Sequence, residues 1–114
     1  MSAVTITQMA DRVSALIEER LGEAYLEMGD LDSARHYLEQ SLVGFRNAGA
    51  GEYEALSLFH LGRAWTLAGQ KELASQMFGE GLGLAQQLSN SRQVEQMQAA
   101  LHSLMAKAES SAPQ

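Results

Sequence analysis

Apolar residues along the first part of the chain recur three and four positions apart: Leu16, Ile17, Leu21, Ala24, Tyr25 and Met28. The same rhythm returns at Leu58, Leu61, Ala64, Trp65 and Ala68. Such spacing predicts one face of a helix, not the alternation of a strand. Gly29 and Gly69 stand where each helix should stop, since glycine enters the left-handed conformation most easily. Asp30 and Asp32 are good N-caps for a second helix in "LDSARHYLEQSLVGF", whereas Gln70-Lys71-Glu72 offers weaker capping for its counterpart. "NAGAGE", Asn47 to Glu52, reads as a linker. Asn90 or Ser91 opens a last helix with apolar positions Val94, Met97, Leu101, Leu104, Met105 and Ala108.

A shift of 40 residues overlays Arg20–Leu42 on His60–Leu82 without a gap. Leu21 falls on Leu61, Gly22 on Gly62, Ala24 on Ala64, Tyr25 on Trp65, Gly29 on Gly69, Ala34 on Ala74, Leu38 on Phe78 and Leu42 on Leu82. Each unit is therefore a helix pair, and the predicted fold class is all-α, an antiparallel helix-hairpin array of about five helices. Residues 1–109 are read as one domain: repeat 1 at about 12–48, repeat 2 at about 52–88, and a capping helix at about 91–108, which repeat arrays need for solubility. Residues 110–114 are read as a disordered tail.

The overlay decides what the glycines of "MFGEGLGLAQ" do. Gly79, Gly81 and Gly83 match Glu39, Ser41 and Val43, inside the second helix of a unit. A dinucleotide fingerprint needs a preceding strand and a later third glycine, and a phosphate loop needs Gly-Lys-Ser or Gly-Lys-Thr. The stretch is read as helix. Gly81 suits close packing at the position where repeat 1 has a serine.

Composition narrows the rest. The 114 residues are 46% hydrophobic and 19% charged, with one proline, Pro113, and no cysteine. Disulfides, thiolate metal sites and a cysteine nucleophile are excluded. No secretory signal or membrane-length apolar run is present, so the expected localisation is cytoplasmic. The formal charge of −6 disfavours nucleic acid and anionic membrane as partners.

The pattern Leu-Gly-x-x-Tyr/Trp, followed by Gly, Ala, an aromatic or Leu, and a small residue, resembles the tetratricopeptide repeat. Leu58 supplies the large apolar residue expected three before the Leu in the second unit, but Glu18 holds that place in the first. Arg46 and Gln86 stand where the family has proline. The 40-residue period resembles the longer variant of kinesin light chains and bacterial signalling regulators. The resemblance covers roughly residues 12–88.

It implies a concave groove, lined by the first helix of each unit, that receives a peptide. Carried onto this chain, the groove positions are Glu19, Glu23, Leu26 and Glu27, then Phe59, His60, Arg63 and Thr66, then Ala99, Ser103 and Lys107. Glu19, Glu23 and Glu27 form a carboxylate ridge that would select a basic peptide or be neutralised by Arg63 and Lys107. The lysine–asparagine clamp of chaperone-binding members is absent.

Catalysis is not indicated: paired acids need a pocket that separates their pKa values, and His36, His60 and His102 fall on three helices without metal-ligand spacing. No cofactor and no metal are expected. The methionines read as core or interface fillers. The expected function is a non-catalytic protein–protein interaction module, with apolar contacts at Leu26 and Phe59. A ligand-sensing regulatory domain and a self-assembling scaffold are the alternatives. Two repeats and a cap leave ends to be covered, by the N-terminal extension carrying Val4, Ile6 and Met9, by homodimerisation, or by further repeats of a larger regulator of which this chain would be a segment.

Overall fold

The computed structural model describes residues 3–110, and side chains from Thr5 to Ala106. Five helices follow one another: α1 (Ala3–Met28), α2 (Leu31–Ala48), α3 (Gly51–Leu67), α4 (Lys71–Gln87) and α5 (Ser91–Ser110). α1 pairs with α2 and α3 with α4. α2 then packs on α3, and α4 on α5. The radius of gyration is 15.1 Å, above the ~13 Å of a globular domain near this length. The helices are stacked as an array.

The turns explain that stacking. Gly29, Gly49 and Gly69 all have positive φ, at 83°, 67° and 77°. Each is followed by a residue whose N–H reaches back into the helix, as in Asp30 to the Tyr25 carbonyl (3.0 Å) and Gln70 to that of Trp65 (2.9 Å). These paired bonds satisfy carbonyls that the helix end leaves open. Ser89 takes the same role before α5 with φ 55°, without glycine's freedom. The Asp30 carboxylate accepts from Ser33 N (3.2 Å) and the Asn90 side chain from Gln93 N (3.2 Å). Gln70 makes no side-chain cap, as its sequence suggests. The linker is shorter than predicted: Asn47 and Ala48 continue α2, and Gly51 already opens α3. Ser110 belongs to α5, and the remaining positions of the expected tail lie outside the described residues.

α1 does not pack with the face its apolar residues mark. Ala15, Glu19, Gly22 and Leu26 are buried, while Ile17, Leu21, Ala24 and Met28 are exposed and Leu16 and Tyr25 are half-buried. The cause is steric. A Cβ on Gly22 would lie 2.5 Å from Leu38 Cγ, and one on Gly44 would lie 2.8 Å from the Ala15 Cβ. Small residues let α1 and α2 approach closely, and that approach sets which face turns inward. α3 follows its pattern better, with Leu58, Leu61 and Ala64 buried and Trp65 half-buried, although Ala68 is exposed.

The core has two parts. Leu26, Ala34, Leu38, Leu42, Leu58, Leu61 and Ala64 form one; Ala74, Phe78, Met97 and Leu104 form the other. The Gly79–Gly83 stretch lies within α4. A Cβ on Gly81 would strike Met97, whereas Gly79 and Gly83 have no neighbour at that position. The N-terminal extension is not a lid. It continues α1, with Ile6 and Met9 more than half exposed, and the Val4 side chain lies outside the described residues. Among the described residues no helix is long and apolar enough to cross a membrane.

Candidate concave groove

The three glutamates of α1 do not form a ridge. Each step of four residues along an α-helix turns about 40°, so Glu19, Glu23 and Glu27 fan around the axis. Glu19 points at α3 and is 2% exposed, Glu23 is half-buried, and Glu27 stands in solvent. Leu26 is likewise inside the core, 3% exposed, because the close α1–α2 packing turns it inward. A partner cannot reach Leu26 or Glu19 without parting helices. The expectation of apolar contact at Leu26 is therefore corrected.

Glu19 faces His60 of α3, whose Nε2 lies 3.3 Å from Glu19 Oε1. His60 is itself buried. On its other side the Arg63 guanidinium approaches Nδ1 at 3.3 Å. Arginine only donates, so Nδ1 accepts and the neutral ring carries its proton on Nε2. Burial pushes the Glu19 carboxyl above its ordinary value of 4.5, and the Glu23 carboxylate adds to the effect. Burial also holds His60 below its ordinary 6.5, opposed by Glu23 and helped by Arg63. Both groups are thus biased towards their uncharged forms. Single ligand atoms of Glu19, Glu23 and His60 all lie within 4.8 Å of one another. His36, His60 and His102 lie on three different helices, so no spacing along the chain marks this set. Glu-x-x-x-Glu on α1 was visible, but its meeting with His60 depends on how α1 and α3 align.

Beyond Arg63 the groove becomes apolar. A cleft of about 660 Å³ opens there, walled by Arg63, Thr66 and Leu67 of α3 and by Ala100, Ser103 and Leu104 of α5. Phe78 of α4 also lines it, and packs against Phe59 at a ring-centroid distance of 5.9 Å. The Thr66 hydroxyl donates to the Gly62 carbonyl (2.8 Å), so its hydrogen is already committed. Arg63, Thr66 and Ser103 were predicted groove positions, and the structure brings these three together. Ala99 is exposed outside the cleft lining, and the Lys107 side chain lies outside the described residues. Phe78, Leu67, Ala100 and Leu104 were not predicted as groove residues. Phe78 was legible only as the packing equivalent of Leu38, because the family pattern assigns the groove to first helices.

No curated protein and no solved structure matches the chain. The tetratricopeptide repeat family model matches residues 13–87, from within α1 to the end of α4. That match spans more than half of the chain, and the chain belongs to the tetratricopeptide repeat family.

Proposed function

We propose that this protein is a non-catalytic interaction module that binds a partner peptide or protein in its concave groove. Repeats of this family mediate protein–protein interaction. The observation that carries the reading is the apolar cleft between α3 and α5. It is concave, lined mainly by apolar groups, and bordered by a few polar ones, the usual make-up of a recognition site. A large apolar side chain of the partner fills the cleft against Phe78 and Leu104. Glu23 and Glu27, on the side of the groove formed by α1, favour a basic residue beside it.

Selection from a random-peptide display library tests this. Wild type should enrich peptides pairing a large apolar residue with a basic one. Ala100→Trp, which fills the cleft, should weaken them roughly tenfold or more. Glu23→Lys with Glu27→Lys should select against the basic residue. Equal binding to wild type and Ala100→Trp would place the site elsewhere.

A second reading rests on a separate observation. Ile6, Met9, Val13 and Ile17 form an exposed stripe along α1, each 54–58% exposed, at spacings of three and four. Contiguous exposed apolar surface of this kind marks an association face. Self-assembly through it would raise the mass in sedimentation as concentration rises, and Val13→Lys with Ile17→Lys would abolish that rise.

A further inference from the structure

We propose that Glu19, Glu23 and His60 form a binding site for a divalent first-row transition ion of the zinc class, joining the first repeat to the second. The site combines two carboxylates one turn apart on α1 with an imidazole from α3. Their ligand atoms lie within 4.8 Å of one another. A tetrahedral ion holds its nitrogen and oxygen ligands at about 2.0–2.1 Å, which sets neighbouring ligands about 3.3 Å apart. Glu19 Oε1 and His60 Nε2 are 3.3 Å apart.

A second feature points to a ligand independently. Glu19 is 2% exposed, and its Oε1 is a buried oxygen that accepts no hydrogen bond. His60 Nε2 is close, but the pair lacks hydrogen-bond alignment. A buried oxygen left so costs stability, and an ion between the two atoms would satisfy both. The donor set selects the ion class. Imidazole suits zinc, nickel and copper, whereas calcium and magnesium take oxygen ligands. Three protein ligands leave one position for water or for a group of a bound partner.

Arg63 has a defined part in this arrangement. Coordination through Nε2 moves the ring proton to Nδ1, where Arg63 now donates. The guanidinium must swing away, so Arg63 competes with the ion. A glutamine at this position accepts from Nδ1–H and orients the ring, as partners outside the coordination shell do in metal sites.

The test is calorimetric titration of chelator-treated protein with ZnCl2, with MgCl2 and CaCl2 as controls and circular dichroism to verify folding. Wild type should bind one zinc per chain, with no saturable magnesium or calcium binding. Zinc should raise the melting temperature, since the ion ties α1 to α3 where the helices otherwise touch little. His60→Gln should weaken zinc binding by roughly 100-fold. Glu23→Gln, at a half-exposed position that tolerates the change, should weaken it by roughly tenfold or more. Arg63→Gln should strengthen it by roughly tenfold. Absence of saturable zinc binding to folded wild type would overturn the proposal. So would unchanged affinity in folded Glu23→Gln, or binding abolished by replacing the exposed His36 and His102 instead.

Discussion

Ser41 and Ser57 meet across the α2–α3 seam, while Gly81 and Met97, each 40 residues further on, meet across the α4–α5 seam. The Ser41 hydroxyl donates to the Leu38 carbonyl (2.7 Å), so the 2.9 Å contact with Ser57 has Ser57 as donor. All hydroxyl hydrogens of that buried pair are used. In the second seam the serine of α4 is replaced by glycine and the serine of α5 by methionine, whose sulfur and methyl occupy the space a Cβ on Gly81 would take. One seam is closed by a hydrogen bond between two small side chains and the other by a long side chain over a missing one. Both seams are thus closely packed, by different chemistry.

The largest effect is expected at Met97, which is 1% exposed. Met97→Ser removes the side chain that fills the Gly81 notch, and should cost about 3 kcal/mol in urea denaturation through the cavity left behind. Next comes transplanting one chemistry onto the other seam. Ser57→Met alone overfills the space beside Ser41 and should cost about 2 kcal/mol. Adding Ser41→Gly should recover at least about 1 kcal/mol of that, a coupling a double-mutant cycle measures. Strict additivity would show that the two seams differ in backbone geometry as well as in side chains.

A smaller contrast separates the turns before α3 and α5. Gly49 and Ser89 are also 40 residues apart and both have positive φ, but only glycine adopts it without strain. Ser89→Gly should stabilise by about 1 kcal/mol and Gly49→Ser should destabilise by about as much. Thermal melts of the two variants, shifting in opposite directions, would check it.

The smallest effects are expected from pH, in chelator-treated protein. His60 is held below 6.5 in the folded state, so its share of stability is present above that pH and lost as pH falls towards the folded value. His60→Gln should therefore lose less stability than wild type between pH 7 and 5. Glu19 has the opposite sign. Its folded value lies above 4.5, so the stability it contributes is present at low pH and lost as pH rises through the folded value. Glu19→Gln should gain on wild type as pH rises from 4 to 7.

How much of this was legible in sequence differs between the repeats for physical reasons. The turns at Gly29 and Gly69 and the cap at Asp30 are local, so the residues themselves specify them. The packing face of α3 was readable because Leu58, Leu61, Ala64 and Trp65 repeat at spacings of three and four and turn inward, although Leu56 and Leu67 lie on the opposite side. α1 carries Ile17, Leu21 and Met28 on one side and Ala15, Gly22 and Leu26 on another, and hydrophobicity alone favoured the wrong one. Close approach at Gly22 decided it, a steric fact that exists only once Leu38 is opposite. For the same reason Arg63, Thr66 and Ser103, expected on one face, do line a common cleft, while Glu19 and Leu26 are buried. The Glu19–His60 contact joins residues 41 positions apart and depends on the helix alignment that packing creates.

The proposed partner site is the cleft between α3 and α5. Amide chemical shifts of isotope-labelled protein, followed while a display-selected peptide is titrated in, map the residues the peptide touches. Changes should concentrate at Arg63, Thr66, Leu67, Ala100 and Ser103, with α2 nearly silent. Changes concentrated instead along Ile6, Met9, Val13 and Ile17 would rule out the cleft and move the binding face to the outer side of α1.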